Sequence, residues 1–186
     1  MGRTSPSDRE RPRLPTWAHI GEKRLAHVTR VTALLESWAD ALEVPSGERN
    51  RWLRAAWLHD ALKDAPRRMI RELARGVWEA PSLWHGPAAA ERAAREGERD
   101  QGVLDAVRYH SVGYAGWDGV GRMLYLADYL EPGRRSRARL RAERASRVVD
   151  DMEGVLRIVA AERIAHGIDK GWPLLPETVA FWNALV

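Results

Sequence analysis

The chain has 186 residues, 45% of them hydrophobic and 30% charged, the balance of one folded domain with a continuous core and not of a disordered segment. It carries a formal charge of +4, nearly all of the positive charge being arginine, and it has no cysteine, which excludes a disulfide framework and any thiolate metal site. No apolar run approaches the roughly 20 residues that span a bilayer, so a membrane partner is excluded as well.

Residues 1–15 read MGRTSPSDRERPRLP, a polar, arginine-rich, proline-broken stretch expected to form a basic tail ahead of a single domain over 16–186. The stretch has no apolar h-region, so no signal peptide is expected and a cytoplasmic protein follows. From Trp17 onward the periodicity is helical almost everywhere, and few stretches alternate as strands do, which makes the chain all-α. Helices are predicted over 18–43, 47–63, 66–75, 86–96, 100–111, 117–130, 137–168 and 176–185. Pro45-Ser46-Gly47 separates the first two, with Ser46 as an N-cap, and Ala65-Pro66 closes the second, because proline disfavours helix in the residue before it. Gly76, Gly97, Gly113 and Gly133 stand where helices should stop.

Taken helix by helix, ionisable residues fall on the apolar stripes. His27 precedes Val31, Leu34 and Trp38 on the first; Asp60 lies among Leu53, Ala56, Trp57 and Ala61 on the second. Val103, Ala106 and Val107 lead to His110, and Asp128 shares the face of Leu124 and Ala127. A lone buried histidine is ordinarily a hydrogen-bonded core residue. A buried carboxylate without a partner costs several kcal/mol, so four such groups converging call for a common counter-charge, which a divalent cation supplies. Without cysteine that cation would be held by His, Asp and Glu, a set suited to iron, manganese, zinc or magnesium.

Neighbours on a helix diverge by about 100°, so His59 and Asp60 serve one site only at a helix end. Lys63, one turn beyond His59, is then placed for a substrate phosphate, and Asp64, one turn beyond Asp60, for a ligand or water, although an exposed ion pair explains this pair too. His85, in Trp84-His85-Gly86-Pro87 just before a helix start, is a further metal candidate, since glycine lets the backbone approach closely there. His19 and His166 have no such context and read as surface or structural residues. Arg134 to Arg147 holds seven arginines and one glutamate; a solvated helix face is the favoured reading, a phosphate- or RNA-facing surface the alternative.

The ordered set His27, His59-Asp60, His85, His110, Asp128 resembles the HD superfamily with the ligands of a two-metal site. Leu83 to Ala90, Ala106 to Gly113 and Leu124 to Arg134 narrow the likeness to the YqeK family, and it runs from about Trp17 through Leu175-Pro176-Glu177-Thr178 and Trp182-Asn183. The resemblance implies a helical bundle around a buried binuclear metal site, most readily iron with manganese as the alternative. It also implies the activity of a symmetrical bis(5′-nucleosyl)-tetraphosphatase, cleaving diadenosine tetraphosphate into two ADP. It assigns His27, His59, Asp60, His85, His110 and Asp128 as ligands, Asp60 bridging, and Lys63, Arg108 and Arg134 as phosphate contacts, with Asp64 beside the metals. Ser111 stands where the family has threonine and keeps the hydroxyl; Trp117-Asp118 stands where the family has methionine-serine.

On this reading Asp60, Lys63 and Asp64 serve catalysis, while Lys63, Arg108, Ser111 and Arg134 bind a nucleotide. Two rivals remain. One keeps the metals and changes the substrate to a nucleoside mono-, di- or triphosphate or a cyclic dinucleotide; the other is an RNA-binding module built on the arginine run, with a structural metal. The full ligand set disfavours nucleic acid as partner. The oligomeric state is open, a homodimer being compatible with the sequence.

Overall fold

In chain order the helices of the computed structural model are α1 (Glu22–Ala41), α2 (Ser46–Leu58), α3 (Arg67–Ala74), α4 (His85–Arg95), α5 (Gln101–Tyr109), α6 (Gly119–Leu130), α7 (Ala138–Arg147), α8 (Met152–Asp169) and α9 (Pro176–Leu185), with a 3₁₀ turn at Pro81–Leu83. The structure describes residues 13–75, 77–134 and 136–186, and among these there is no strand. Most of the tail expected at 1–15, together with Gly76 and Arg135, lies outside the described residues.

The helix whose sequence is apolar on most sides takes the centre. α6 buries Val120, Met123, Leu124, Tyr125, Leu126, Ala127, Asp128 and Leu130, and it packs against α1, α2, α5, α7 and α8. Val31 and Leu35 of α1, Leu53 and Ala56 of α2, Val103 and Val107 of α5, and Val159 of α8 complete one continuous core. α4 reaches α5 through small residues, Gly86 and Ala88 to Ala90, all buried. A Cβ at Gly86 would stand 2.9 Å from the main-chain oxygens of Arg108 and Val107, so only glycine permits this approach. The contact sets His85 beside His110.

Three predicted boundaries differ. The helix expected over 137–168 is two, α7 and α8. Val148, fully buried, pulls the chain inward between them, and the Asp151 side chain accepts the Gly154 N–H at 3.0 Å to start α8 afresh. The helix expected over 47–63 stops at Leu58, and 59–64 form turns. Ser46 is no N-cap: Pro45 holds that position at φ −55°, ψ 145°, and the first turn has no side-chain cap bond. α1 also starts late, because the His19 N–H donates to the Ala61 carbonyl at 2.7 Å and the Gly21 N–H to Asp64 Oδ2 at 2.9 Å, tying 19–21 to the 59–64 turn.

The predicted run forms a solvated helix face: α7 buries no residue, and Arg137, Arg139 and Arg147 are exposed. Arg137 and Arg144 pair with Glu162 of α8, Arg147 with Asp151, and Arg141 lies 4.0 Å over the Tyr129 ring while donating to the Tyr129 carbonyl. The contacts of Arg141 and Arg144 dock one side of α7 onto α6 and α8 and leave its other side in solvent.

Candidate metal centre

Five helices deliver the buried ionisable groups to one place. His27 comes from α1, His59 and Asp60 from the end of α2, His85 from the start of α4, His110 from the end of α5 and Asp128 from α6; every one is buried. The six predicted ligands are therefore brought together.

Asp60 lies between two sets of imidazoles. His27 Nε2 and His59 Nε2 each lie 3.7 Å from its Oδ2, while His85 Nε2 and His110 Nε2 lie 3.2 and 3.7 Å from its Oδ1. His27, His59 and Asp60 form one group able to hold a metal ion, and Asp60, His85 and His110 form another. Asp128 joins through His27, its Oδ1 3.2 Å from Nε2.

Each imidazole is fixed through its other nitrogen. Nδ1 of His59, His85 and His110 faces the carbonyls of Ala56, Ser82 and Val107 at 2.7, 3.0 and 2.8 Å, and Nδ1 of His27 faces Glu131 Oε1 at 3.1 Å. A proton on Nδ1 satisfies each acceptor and leaves the Nε2 lone pair pointing inward. Two results follow that suit a cation. His27 Nε2 and His59 Nε2 are buried without a hydrogen-bond partner, which costs free energy unless something accepts their lone pairs. His85 Nε2 and His110 Nε2 face each other at 3.0 Å, and two lone pairs at that distance repel unless a positive charge lies against both. The donor set fits the metal that the sequence implies.

The protonation states agree. Burial pushes Asp60 and Asp128 up, but the imidazoles around Asp60, and His27, Arg134 and Arg163 around Asp128, leave both well below the ordinary carboxylate range. Burial holds His59 below its ordinary value and His110 well below, the latter with help from His85 and His59. His27 goes the other way: burial pulls it down, yet the Asp128 and Glu131 carboxylates raise it overall.

Of the residues expected to meet substrate, Lys63 lies at the His85 edge, its Nζ 3.2 and 3.1 Å from the two ring nitrogens, with burial lowering its pKa. It arrives from a turn and not from one helical turn beyond His59. Ser111 Oγ lies 3.1 Å from His110 Nε2. Arg108 is half-buried on α5, and Arg134 donates to the Asp128 carbonyl at 2.8 Å and to its carboxylate at 2.7 Å. Asp64 is exposed, and its Oδ2 receives the Gly21 N–H; it too comes from the turn, the helix having ended six residues earlier.

Four further residues escaped the sequence reading. Arg24 donates to Asp60 Oδ2 at 2.7 Å, Arg163 to Asp128 Oδ2 at 3.4 Å, and Glu131 accepts from His27 and from Arg30 Nε at 2.5 Å. Arg24 stands three before His27 and Glu131 three after Asp128, a helical spacing that could have exposed both. Arg163, on α8, left no such signal.

The HD domain profile matches residues 24–133. The chain is 31% identical over 141 residues to the symmetrical bis(5′-nucleosyl)-tetraphosphatase of Bacillus subtilis, covering 71% of this chain and 74% of that protein. It is 26% identical over 180 residues to the enzyme of the same description from Halalkalibacterium halodurans, covering 90% and 91%. Its fold superposes with a TM-score of 0.77, at 27% identity and over 89% and 90% of the two chains, on a crystal structure from Clostridium acetobutylicum described as a predicted HD superfamily hydrolase involved in NAD metabolism.

Proposed function

The chain belongs to the HD domain family, and from that membership and its buried centre we propose that it is a hydrolase cleaving dinucleoside tetraphosphate symmetrically into two nucleoside diphosphates. Diadenosine tetraphosphate, giving ADP, is the substrate we assign, and a nucleotide substrate suits the cytoplasm, where we place the protein. The domain is taken as 16–186.

One observation carries the reading: four imidazoles, each tied at Nδ1, present Nε2 to the two oxygens of a single ionised carboxylate. His27, His59, Asp60 and Asp128 would hold one cation, and Asp60, His85 and His110 a second, with iron first and manganese next. When bound, such a pair supplies Lewis-acid activation of water and of the phosphate oxygens. The chain's own groups do the rest. Lys63 sets a positive charge at the His85 edge, where burial strengthens its pull on a phosphate oxygen. Arg134 and Arg108 would meet the neighbouring phosphates, and the Ser111 hydroxyl beside His110 would offer a neutral donor. Asp64 would serve catalysis beside the metals, and its bond from the Gly21 N–H holds 19–21 against the turn that carries Lys63.

Purified protein loaded with iron or manganese and given diadenosine tetraphosphate should release ADP alone. AMP with ATP would exclude symmetrical cleavage, and faster turnover of another nucleotide in a panel would favour the broader phosphohydrolase reading.

A further inference from the structure

His59, His85 and His110 each use a carbonyl three residues earlier, of Ala56, Ser82 and Val107. All three lie at helix ends, where main-chain carbonyls are not fully committed to the helical ladder. His27 has no such option. It lies inside α1, where the carbonyl one turn earlier is committed to the ladder, and its anchor comes from 104 residues away as the carboxylate of Glu131.

Glu131 is itself built in. It is 2% exposed. Oε2 accepts from Arg30 Nε at 2.5 Å and from the Gly133 N–H at 2.6 Å, while Oε1 takes His27 Nδ1 at 3.1 Å and Arg30 Nη2 at 3.4 Å. A Cβ at Gly133 would fall 2.1 Å from Arg30 Nε, so the glycine leaves the space in which the guanidinium lies. Arg30 and Gly133 thus hold the carboxylate in one orientation, and the carboxylate holds the imidazole. A carboxylate acceptor also makes the ring a stronger donor to a cation than a neutral carbonyl does.

We propose that Glu131 is the positioning residue of His27, and that retention of the cation held by His27, His59 and Asp60 depends on it while retention of the one held by His85 and His110 does not. The inference rests on the metal-centre reading above. It makes the two halves of the centre separable by a residue that is not itself a ligand.

Metal-free protein and the Glu131→Gln variant are titrated with Mn²⁺ against a chelating indicator, and their imidazole tautomers are read by long-range ¹H–¹⁵N NMR without metal. The parent should take up two equivalents and show His27 protonated at Nδ1. In the variant one equivalent should weaken by roughly 10–100-fold, the other should hold, and His27 should lose its single tautomer. Should Glu131→Gln not fold, Arg30→Met, which removes two of the four contacts of the carboxylate and no ligand, should show the same selective loss at smaller size. Unchanged affinity for every equivalent overturns the inference and leaves the metal centre standing, as does equal weakening of both, which would make Glu131 a general support of the fold. A parent that takes up no Mn²⁺ overturns the metal reading and this inference with it.

Discussion

On the Oδ2 side of Asp60 the imidazoles of His27 and His59 have Asp128 and Glu131 behind them, Arg30, Arg134 and Arg163 lie against those carboxylates, and Arg24 lies against Asp60 Oδ2 itself; on the Oδ1 side His85 and His110 have Lys63. The ligand type is the same and the field is not. One half is dense in anions, each screened by a guanidinium. The other has two imidazoles, one shared oxygen and an ammonium group. A cation on the first half would find its charge answered by the protein, whereas one on the second would be short of anionic donors, a shortfall that a phosphate oxygen would make up. A site of near-symmetrical ligands thereby gains a direction.

Removing the shared group should have the largest effect. Asp60→Asn takes away the one charge common to both halves, so both metal equivalents should go and turnover should drop by roughly 10³-fold or more, the scale of losing a principal electrostatic stabiliser. Elemental analysis beside the ADP assay checks it; retention of one full equivalent would show that the halves do not share Asp60. Lys63→Met comes next. Metal content should stay at the parental level while kcat/KM for diadenosine tetraphosphate falls by about 10²-fold, because only the Oδ1 half loses its phosphate-facing charge. Parental kcat/KM would remove Lys63 from the site.

Gly86→Ala acts on the same half through the backbone. The added Cβ meets main-chain oxygens at 2.9 Å and His110 Cε1 at 3.2 Å, so α4 must back away from α5. One equivalent should weaken about 10-fold, with a loss of roughly 1–3 kcal/mol in stability by urea unfolding. Weakening of the other equivalent instead would break the division.

The smallest effect is in pH. An unfolded histidine titrates near 6.5, and His27, raised above that by its carboxylates, adds stability that is full below 6.5 and lost as pH rises through its raised value. His59 and His110 lie below 6.5, so on acidification the unfolded chain binds protons that the buried rings refuse, and stability falls as pH drops under 6.5. Two rings oppose one, and the urea midpoint of metal-free protein should therefore fall modestly between about pH 7.5 and 5.5. A midpoint that rises over that interval would mean that His27 and its carboxylates dominate. Asp60 and Asp128, depressed below 3.8, add a loss that begins only at more acid pH.

Helical phasing was enough to find His27, Asp60, His110 and Asp128, because a residue's place on an amphipathic stripe is a local property written every three or four positions. It found the Trp84-His85-Gly86 approach too, since glycine beside a helix start is a local signal. It joined α7 to α8, because a buried Val148 and an Asp151 cap break a helix without breaking its period, and it overran α2, because buried Ala61 and Leu62 carry the apolar pattern on into the turn.

Composition and periodicity by themselves determined an all-helical chain with four ionisable side chains turned inward, for burial is decided residue by residue along each helix. Which groups then meet was decided only by packing. Glu131 on His27, Arg24 on Asp60, Arg163 on Asp128 and Lys63 on His85 are contacts between elements, and the order of residues along one helix has no information about the azimuth of the helix that lands beside it.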